Sequence, residues 1–415
     1  MFKKIFYLLC CTVVFIGCKS LRIKHKINKE IASSFFENQF TGIYIYDVNA
    51  AKVVYNYNGS KYFTPASNTK IFTLYTGLEL LSDSIPAFKY AVDKDTITIQ
   101  GTGDPTFLHS FFKDSTALKM AKNYKKVNLI VNTITDKKFA AGWAWEDFDS
   151  YFSPERSAFP MYGNVVTIQN ENELIVTPLF FENELKITDK NYGREELVNN
   201  FYFGKNRTRE TAIPMIIDTI LLTNLWNDIL PNKVKLIKES AIKPFKIAYS
   251  IPSDTLYKRM MEVSDNFLAE QLLIMASSTL SDTLNSKKAI DFIIANQLKD
   301  LKQKPRWVDG SGLSRYNLFT PISFVDVLIR MYKEIQKERL FLFFPVGNAI
   351  QNLKDKRFIY AKSGTLGNNY SLSGYLITNS NKILVFSFMN NHFMHTNAEV
   401  KEQMQFIFEQ LRDQY

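Results

Sequence analysis

The chain is expected to be an α+β protein in which one helix-and-strand domain is interrupted by an inserted strand-rich domain. Helical and strand-like segments occur at both ends, and the middle is a run of short strand-like pieces rich in Asn, Asp and Lys. Its 415 residues also exceed most single cores, at roughly 100–200 residues per domain. With 46% hydrophobic residues, 34 Phe and 21 Tyr against 16 Gly and 13 Pro, the composition is globular. No repeat or low-complexity tract stands out.

The N-terminus reads as an export signal. Lys3 and Lys4 precede an apolar run from Ile5 to Ile16, which is too short to span a bilayer as a mature helix. The run ends at Gly17–Cys18, which resembles a bacterial lipoprotein processing site. Residues 1–17 are therefore read as a signal peptide and Cys18 as the lipid-attachment residue, placing the protein in the periplasm or cell envelope as a membrane-anchored lipoprotein. All three cysteines, Cys10, Cys11 and Cys18, fall within this segment, which excludes cysteine catalysis, cysteine–metal sites and disulfides from the exported body. The net charge of +10 is spread along the chain without a Lys/Arg block, so no nucleic-acid partner is expected. A mild basic excess suits an anionic envelope polymer or a membrane surface.

After a polar connector, alternating Ile43, Ile45 and Val53, Tyr55, Tyr57 predict a hairpin turning near Asn49. Pro65 then opens a helix whose apolar residues Ile71, Phe72, Leu74, Tyr75, Leu78 and Leu81 cover so much of its circumference that it must be buried. Residues 18–85 form the first part of the main domain and 86–245 the inserted domain, with one helical interlude near Ile216–Ile229. Residues 246–415 complete the main domain: three helical stretches, the strand-like "FIYAKSGTL" and "YSLSGYLITNSNKILVFSFMNN", and a closing helix.

Three short motifs carry the chemistry. Ser-x-x-Lys occurs at Ser67/Lys70, Ser110/Lys113 and Ser240/Lys243, so the spacing alone is weak. Only the first heads a buried helix, where an i, i+3 pair shares a face and the helix N-terminus favours developing negative charge. Ser264–Asp265–Asn266 is the one Ser-x-Asn triplet, placed just before another apolar helix, where helix capping alone could explain it. Lys362–Ser363–Gly364 is the one Lys-[Ser/Thr]-Gly and lies in a strand-like segment before a turn, as an ordinary edge lysine and strand-ending glycine also could.

In this order and context the trio is the signature of penicillin-binding proteins and class A β-lactamases. The sequence resembles the low-molecular-mass penicillin-binding proteins, D-alanyl-D-alanine carboxypeptidases and endopeptidases with a large insertion between the first two motifs. "GTGDPTF" (Gly101–Phe107), "GWAWEDF" (Gly142–Phe148) and "VDGSGLSRYNLFTP" (Val308–Pro321) extend the resemblance over the mature chain. It implies a penicillin-binding, β-lactamase/transpeptidase-like domain of antiparallel sheet flanked by helices. Ser363 departs from the usual Thr, keeping the hydroxyl and losing a methyl.

The implied activity is a serine DD-peptidase that cleaves D-alanyl-D-alanine bonds, or D-alanyl–diamino acid crosslinks, in peptidoglycan stem peptides and is acylated by β-lactams. Ser67 is the nucleophile and Lys70 its base. As a base Lys70 must be neutral, which takes its ordinary value of about 10.4 down to about 7–8 at a cost of roughly 4 kcal/mol. Lys362 is the neighbouring cation expected to help do this and to orient substrate. None of His25, His109, His392 and His395 lies in a motif. By resemblance Ser264 relays the proton, and Asn266 donates to the substrate amide. The N–H groups of Ser67 and Thr365 form the oxyanion hole, Ser363 with Lys362 binds the terminal carboxylate, and the strand edge carrying Gly364 pairs with the extended peptide. Asp147 and Arg315 match positions beside the pocket for the diamino-acid side chain, with a local salt bridge as the alternative. Trp143 and Trp145 are expected to pack the loop of the inserted domain. No metal or organic cofactor is required. A β-lactamase-like esterase on the same fold and a catalytically silent peptidoglycan-binding lipoprotein remain open.

Overall fold

The computed structural model describes residues 21–131, 133–170, 173–188, 192–239, 244–344 and 357–415. The proposed signal peptide, Cys18 and the Ser240/Lys243 pair lie outside the described residues. The N-terminal elements are α1 (residues 21–31), α2 (Ser34–Glu37), β1 (Phe40–Asp47), β2 (Lys52–Tyr57) and α3 (Lys70–Leu80). There follow β3 (Ser84–Asp93), β4 (Thr96–Gly101), α4 (Thr116–Lys122), β5 (Lys126–Ile130), β6 (Val165–Asn170), β7 (Leu174–Thr177), β8 (Leu185–Ile187), β9 (Phe201–Phe203), β10 (Thr211–Pro214), α5 (Thr219–Ile229) and β11 (Val234–Leu236). The C-terminal part runs β12 (Lys246–Pro252), α6 (Ser253–Glu262), α7 (Asn266–Ser277), α8 (Ser286–Ala295), α9 (Pro321–Glu334), α10 (Lys337–Phe343), β13 (Ile359–Leu366), β14 (Asn369–Ile377), β15 (Ile383–Asn391) and α11 (Asn397–Gln414).

The chain forms two compact units. One comprises Met1–Phe72, Asp300–Trp307 and Arg315–Tyr415; the other comprises Thr73–Lys299 and Val308–Ser314. The first is built on a five-stranded antiparallel sheet, order β13-β14-β15-β1-β2. Every residue of β15 is buried, which requires cover on both faces. On one side Ile23, Ile27 and Ile31 of α1 join Val400, Met404 and Phe408 of α11 against Leu384, Phe386 and Phe388. Helix α9 packs on β15 and β1, its start fixed by a Thr320–Ser323 capping box with Pro321 in the first turn.

The expected hairpin is β1–β2, with Asp47 Oδ1 accepting from Ala50 N at 2.9 Å in the turn. Ile43, Ile45 and Tyr55 are buried as the alternation implies, but Val53 and Tyr57 are 42% and 39% exposed. A register shift between Ile45 and Tyr46 breaks the alternation, and β2 is an edge strand that leaves those positions open.

The second unit holds a five-stranded mixed sheet, order β11-β5-β4-β3-β12, a three-stranded sheet β10-β6-β7 and the pair β8-β9. One core of this unit gathers Phe88, Ile97, Leu129 and Phe159 around Trp226, whose ring stacks on Phe107 at 5.1 Å. Helix α7 is buried along its length from Phe267 to Ser277, so its polar side chains need partners. Gln271 donates to Gly103 O (2.8 Å) and Ser157 O (2.9 Å) and accepts from Ser157 N (3.1 Å). Glu270 pairs with Arg156 and accepts from Ser311 N at 2.7 Å. These bonds group α7 with the strand-rich region.

Candidate active site

The residues before α3 form a 3-10 turn, Ala66–Thr69, rather than the first turn of one continuous α-helix. Ala66 is forced into the left-handed region at φ 49°, a strain that persists only where surroundings over-determine it. Thr69 Oγ1 donates to Ala66 O at 2.9 Å and ties the turn. The next residue, Ser67, is half-buried, and Lys70 is fully buried with its Nζ 3.0 Å from Ser67 Oγ. Phe72 seals the helix start with edge-on contacts to Trp307, Phe319 and Phe324.

Strand β13 lies against this turn. Asn68 Nδ2 donates to Lys362 O (2.9 Å) and Ser371 O (3.2 Å), latching the turn to β13 and β14. At Gly364 a Cβ would stand 2.4 Å from Pro65 O, 2.8 Å from Asn68 N and 2.9 Å from Ser67 N. Only glycine permits that approach. Lys362 is 2% exposed and donates to Ser363 O at 2.9 Å. Burial, and after it the charge of Lys70, pushes the Lys362 ammonium well below the ordinary lysine value. Ser363 is half-buried and Thr365 exposed on a strand that ends the sheet. Ser67, Lys70, Lys362, Ser363, Gly364 and Thr365 are thus gathered within one unit. Arg315, also in that unit, is exposed and has no ion-pair partner among the described residues.

Ser264, Asn266 and Asp147 belong to the other unit. Ser264 sits in the break between α6 and α7 at φ 58°, in the left-handed region as Ala66 is. Asp265 caps α7 by accepting from Leu268 N at 3.0 Å, and Asn266 Nδ2 donates to Phe152 O at 3.0 Å. Asp147 is half-buried in the short 3-10 turn Trp145–Asp147. Trp143 packs as expected, with Nε1 donating to Asp309 at 2.8 Å and Arg156 over its ring. Trp145 does not: it is 63% exposed, because its turn lies at the surface.

Two supporting residues carry no sequence expectation of their own. Asn68 lies inside the first motif, where a polar residue at a buried helix head was the available signal. Asp309, in "VDGSGLSR", accepts from Trp143 Nε1, Gly312 N (2.9 Å) and Ser314 N (2.6 Å), holding that loop in shape. The histidines give no base. His109 is half-buried, and desolvation lowers its pKa against the opposing pull of Asp265. His25, His392 and His395 are exposed.

An antiparallel sheet flanked by helices, with a strand-rich insertion and a serine–lysine helix head against an edge strand, defines the penicillin-binding fold class. The crystal structure of penicillin binding protein 4 from Haemophilus influenzae superposes with TM-score 0.70 at 19% identity, over 91% of this chain and 97% of that one. A second structure of that protein, complexed with a β-lactam, gives TM-score 0.63 at 17% identity with the same coverage. Among curated sequences, the D-alanyl-D-alanine carboxypeptidase DacB of H. influenzae is 23% identical, covering 86% of both chains. The penicillin-sensitive carboxypeptidase A of Dictyostelium discoideum is also 23% identical, over 84% of this chain and 81% of that one. The model of the D-Ala-D-Ala carboxypeptidase 3 (S13) family matches residues 23–182 and 230–413, and the chain belongs to that family. It is a serine-type peptidase.

Proposed function

We propose that the enzyme hydrolyses D-alanyl-D-alanine bonds, or D-alanyl–diamino acid crosslinks, of peptidoglycan stem peptides through an acyl-enzyme on Ser67. The observation that carries this is the 3.0 Å contact of Lys70 Nζ with Ser67 Oγ at a buried helix head beside a second buried lysine. Two ammonium groups repel in a desolvated site, so the pair is poised to hold fewer than two protons. In that state Lys70 accepts the Ser67 proton as Oγ bonds to the scissile carbonyl carbon.

Collapse of the tetrahedral adduct breaks the C–N bond, and the proton passes through Ser264 to the leaving amine. Asn266 orients the amide. The backbone N–H groups of Ser67 and Thr365 stabilise the oxyanion, whose electrostatic share of catalysis is commonly large. Lys362 and Ser363 receive the terminal carboxylate, while the free edge of β13 pairs with the extended peptide. Asp147 and Arg315 recognise the amino and carboxylate ends of the diamino acid. Water then attacks the ester, releasing the shortened peptide and restoring Ser67. A β-lactam follows the same first step and remains attached. The protein acts in the envelope after export, anchored through a lipid on Cys18.

Incubation with purified crosslinked and uncrosslinked muropeptides, with products resolved by mass, tests the reading. Release of D-alanine or of uncrosslinked monomers is expected. The absence of both, with no covalent binding of a fluorescent penicillin, would reject it.

A further inference from the structure

Trp145 is exposed yet held: its Nε1 donates to Glu196 Oε1 at 2.8 Å. A fixed, open indole is a presented surface. Beside it Phe148, Tyr192, Arg194, Glu196, Leu197 and Val198 contribute to a cleft of about 620 Å³, within the usual range for a ligand site.

The cleft is pinned at several points. Gly193 N donates to Asp149 Oδ2 at 2.7 Å. Arg194 is 2% exposed; its guanidinium lies 5.2 Å from the Phe148 ring centroid and donates to Pro214 O (2.8 Å) and Glu196 O (3.2 Å). Asn199 exchanges two hydrogen bonds with the backbone of Ile216, at 3.0 and 2.8 Å. Between these ties Leu197 and Val198 remain 79% and 46% exposed. The tied backbone therefore sets these apolar side chains at fixed places on the rim of the cleft.

The geometry points to a second binding site here, whose ligand is the neutral amino-sugar glycan that carries the stem peptides. Tyr192 lines the cleft and the exposed Trp145 adjoins it through Glu196; aromatic rings suit the C–H face of a pyranose, and the Glu196 carboxylate suits hydroxyl and N-acetyl N–H donors. The cleft's buried cation is committed to backbone carbonyls, which disfavours an anionic ligand and matches sugars whose lactyl carboxyl is already an amide. Trp145 shares its turn with Asp147, so glycan bound here would run beside the residue assigned to the peptide. This inference rests on the peptidase reading and extends it from the peptide to the polymer.

The test is calorimetric titration of the full chain with the peptide-free tetramer of N-acetylglucosamine. Saturable binding is expected, weakened at least about ten-fold by Trp145→Ala and by Leu197→Glu, as for loss of an anchor residue. Tyr192→Ala replaces either variant if it fails to fold, with covalent penicillin labelling as the check on folding. No binding to the wild type, or equal binding by the variants, overturns the site; capture of a D-alanyl peptide or a protein there instead of the sugar does so as well. Tetramer binding by a protein that penicillin fails to label would support the glycan site while rejecting the peptidase reading.

Discussion

Ser67/Lys70 and Ser110/Lys113 have the same residues at the same spacing in opposite surroundings. Lys70 is fully buried and its Nζ meets Ser67 Oγ. Ser110 and Lys113 are both exposed in a turn closed by Lys113 N donating to His109 O at 2.9 Å, and no hydrogen bond joins their side chains among the described residues. Beside the first pair, burial and after it the charge of Lys70 hold the Lys362 ammonium well below the ordinary lysine value. The difference lies in the strand pressed on the first turn: Asn68 and Gly364 bring Lys362 to Lys70.

The sharpest way to break the comparison is to exchange the two serines' fates. Ser67→Ala is expected to abolish covalent labelling by fluorescent penicillin, and Ser110→Ala to leave its rate unchanged. Removing the lysines comes next. Lys70→Ala should slow acylation by about 10²–10⁴-fold, the range for loss of a positioned general base, while Lys113→Ala has no effect in the same stopped-time gel assay.

Two glycines sharpen the role of the strand. Gly364→Ala sets a methyl into the Pro65, Ser67 and Asn68 backbone, whereas a Cβ at Gly367 meets nothing within 4 Å. The first should lose about 1–3 kcal/mol of stability in denaturant melts, as overpacking does, and acylate more slowly. The second should match wild type. Asn68→Ala removes two buried bonds to strand carbonyls and should cost about 1–3 kcal/mol in the same melts.

The smallest effect concerns pH. Because Lys362 is depressed in the folded state, the unfolded chain binds the extra proton between that lowered value and the ordinary lysine value near about 10.4. Folding stability therefore gains from Lys362 as pH rises through that window. Lys362→Met should flatten this rise, read as a shallower dependence of melting temperature on pH.

Much of this was legible in sequence where a pattern is local. The helix after Pro65, the hairpin around Asn49 and the strands bearing Lys362 follow from apolar spacing, and the motif trio singled out Ser67 over Ser110. What periodicity could not supply was contact between distant segments. The latch from Asn68 to Lys362 O and Ser371 O joins residues some three hundred positions apart, with |i−j| of 294 and 303. The bulge in β1–β2 that exposes Val53 and Tyr57 depends on pairing register, which alternation does not encode. Trp145 departs from expectation for a related reason: tryptophan is usually largely buried, and here its Nε1 instead meets a distant residue at the surface, donating to Glu196 Oε1 at 2.8 Å.

The central claim is that burial against β13, and not the Ser-x-x-Lys spacing, makes a nucleophile. Peptide mapping by mass spectrometry of the penicillin-treated full chain tests it most directly. A single penicilloyl mass on the peptide carrying Ser67, with the Ser110 peptide unmodified, is the result expected. An adduct on Ser110, or none on Ser67 in protein that retains its fold, would contradict it.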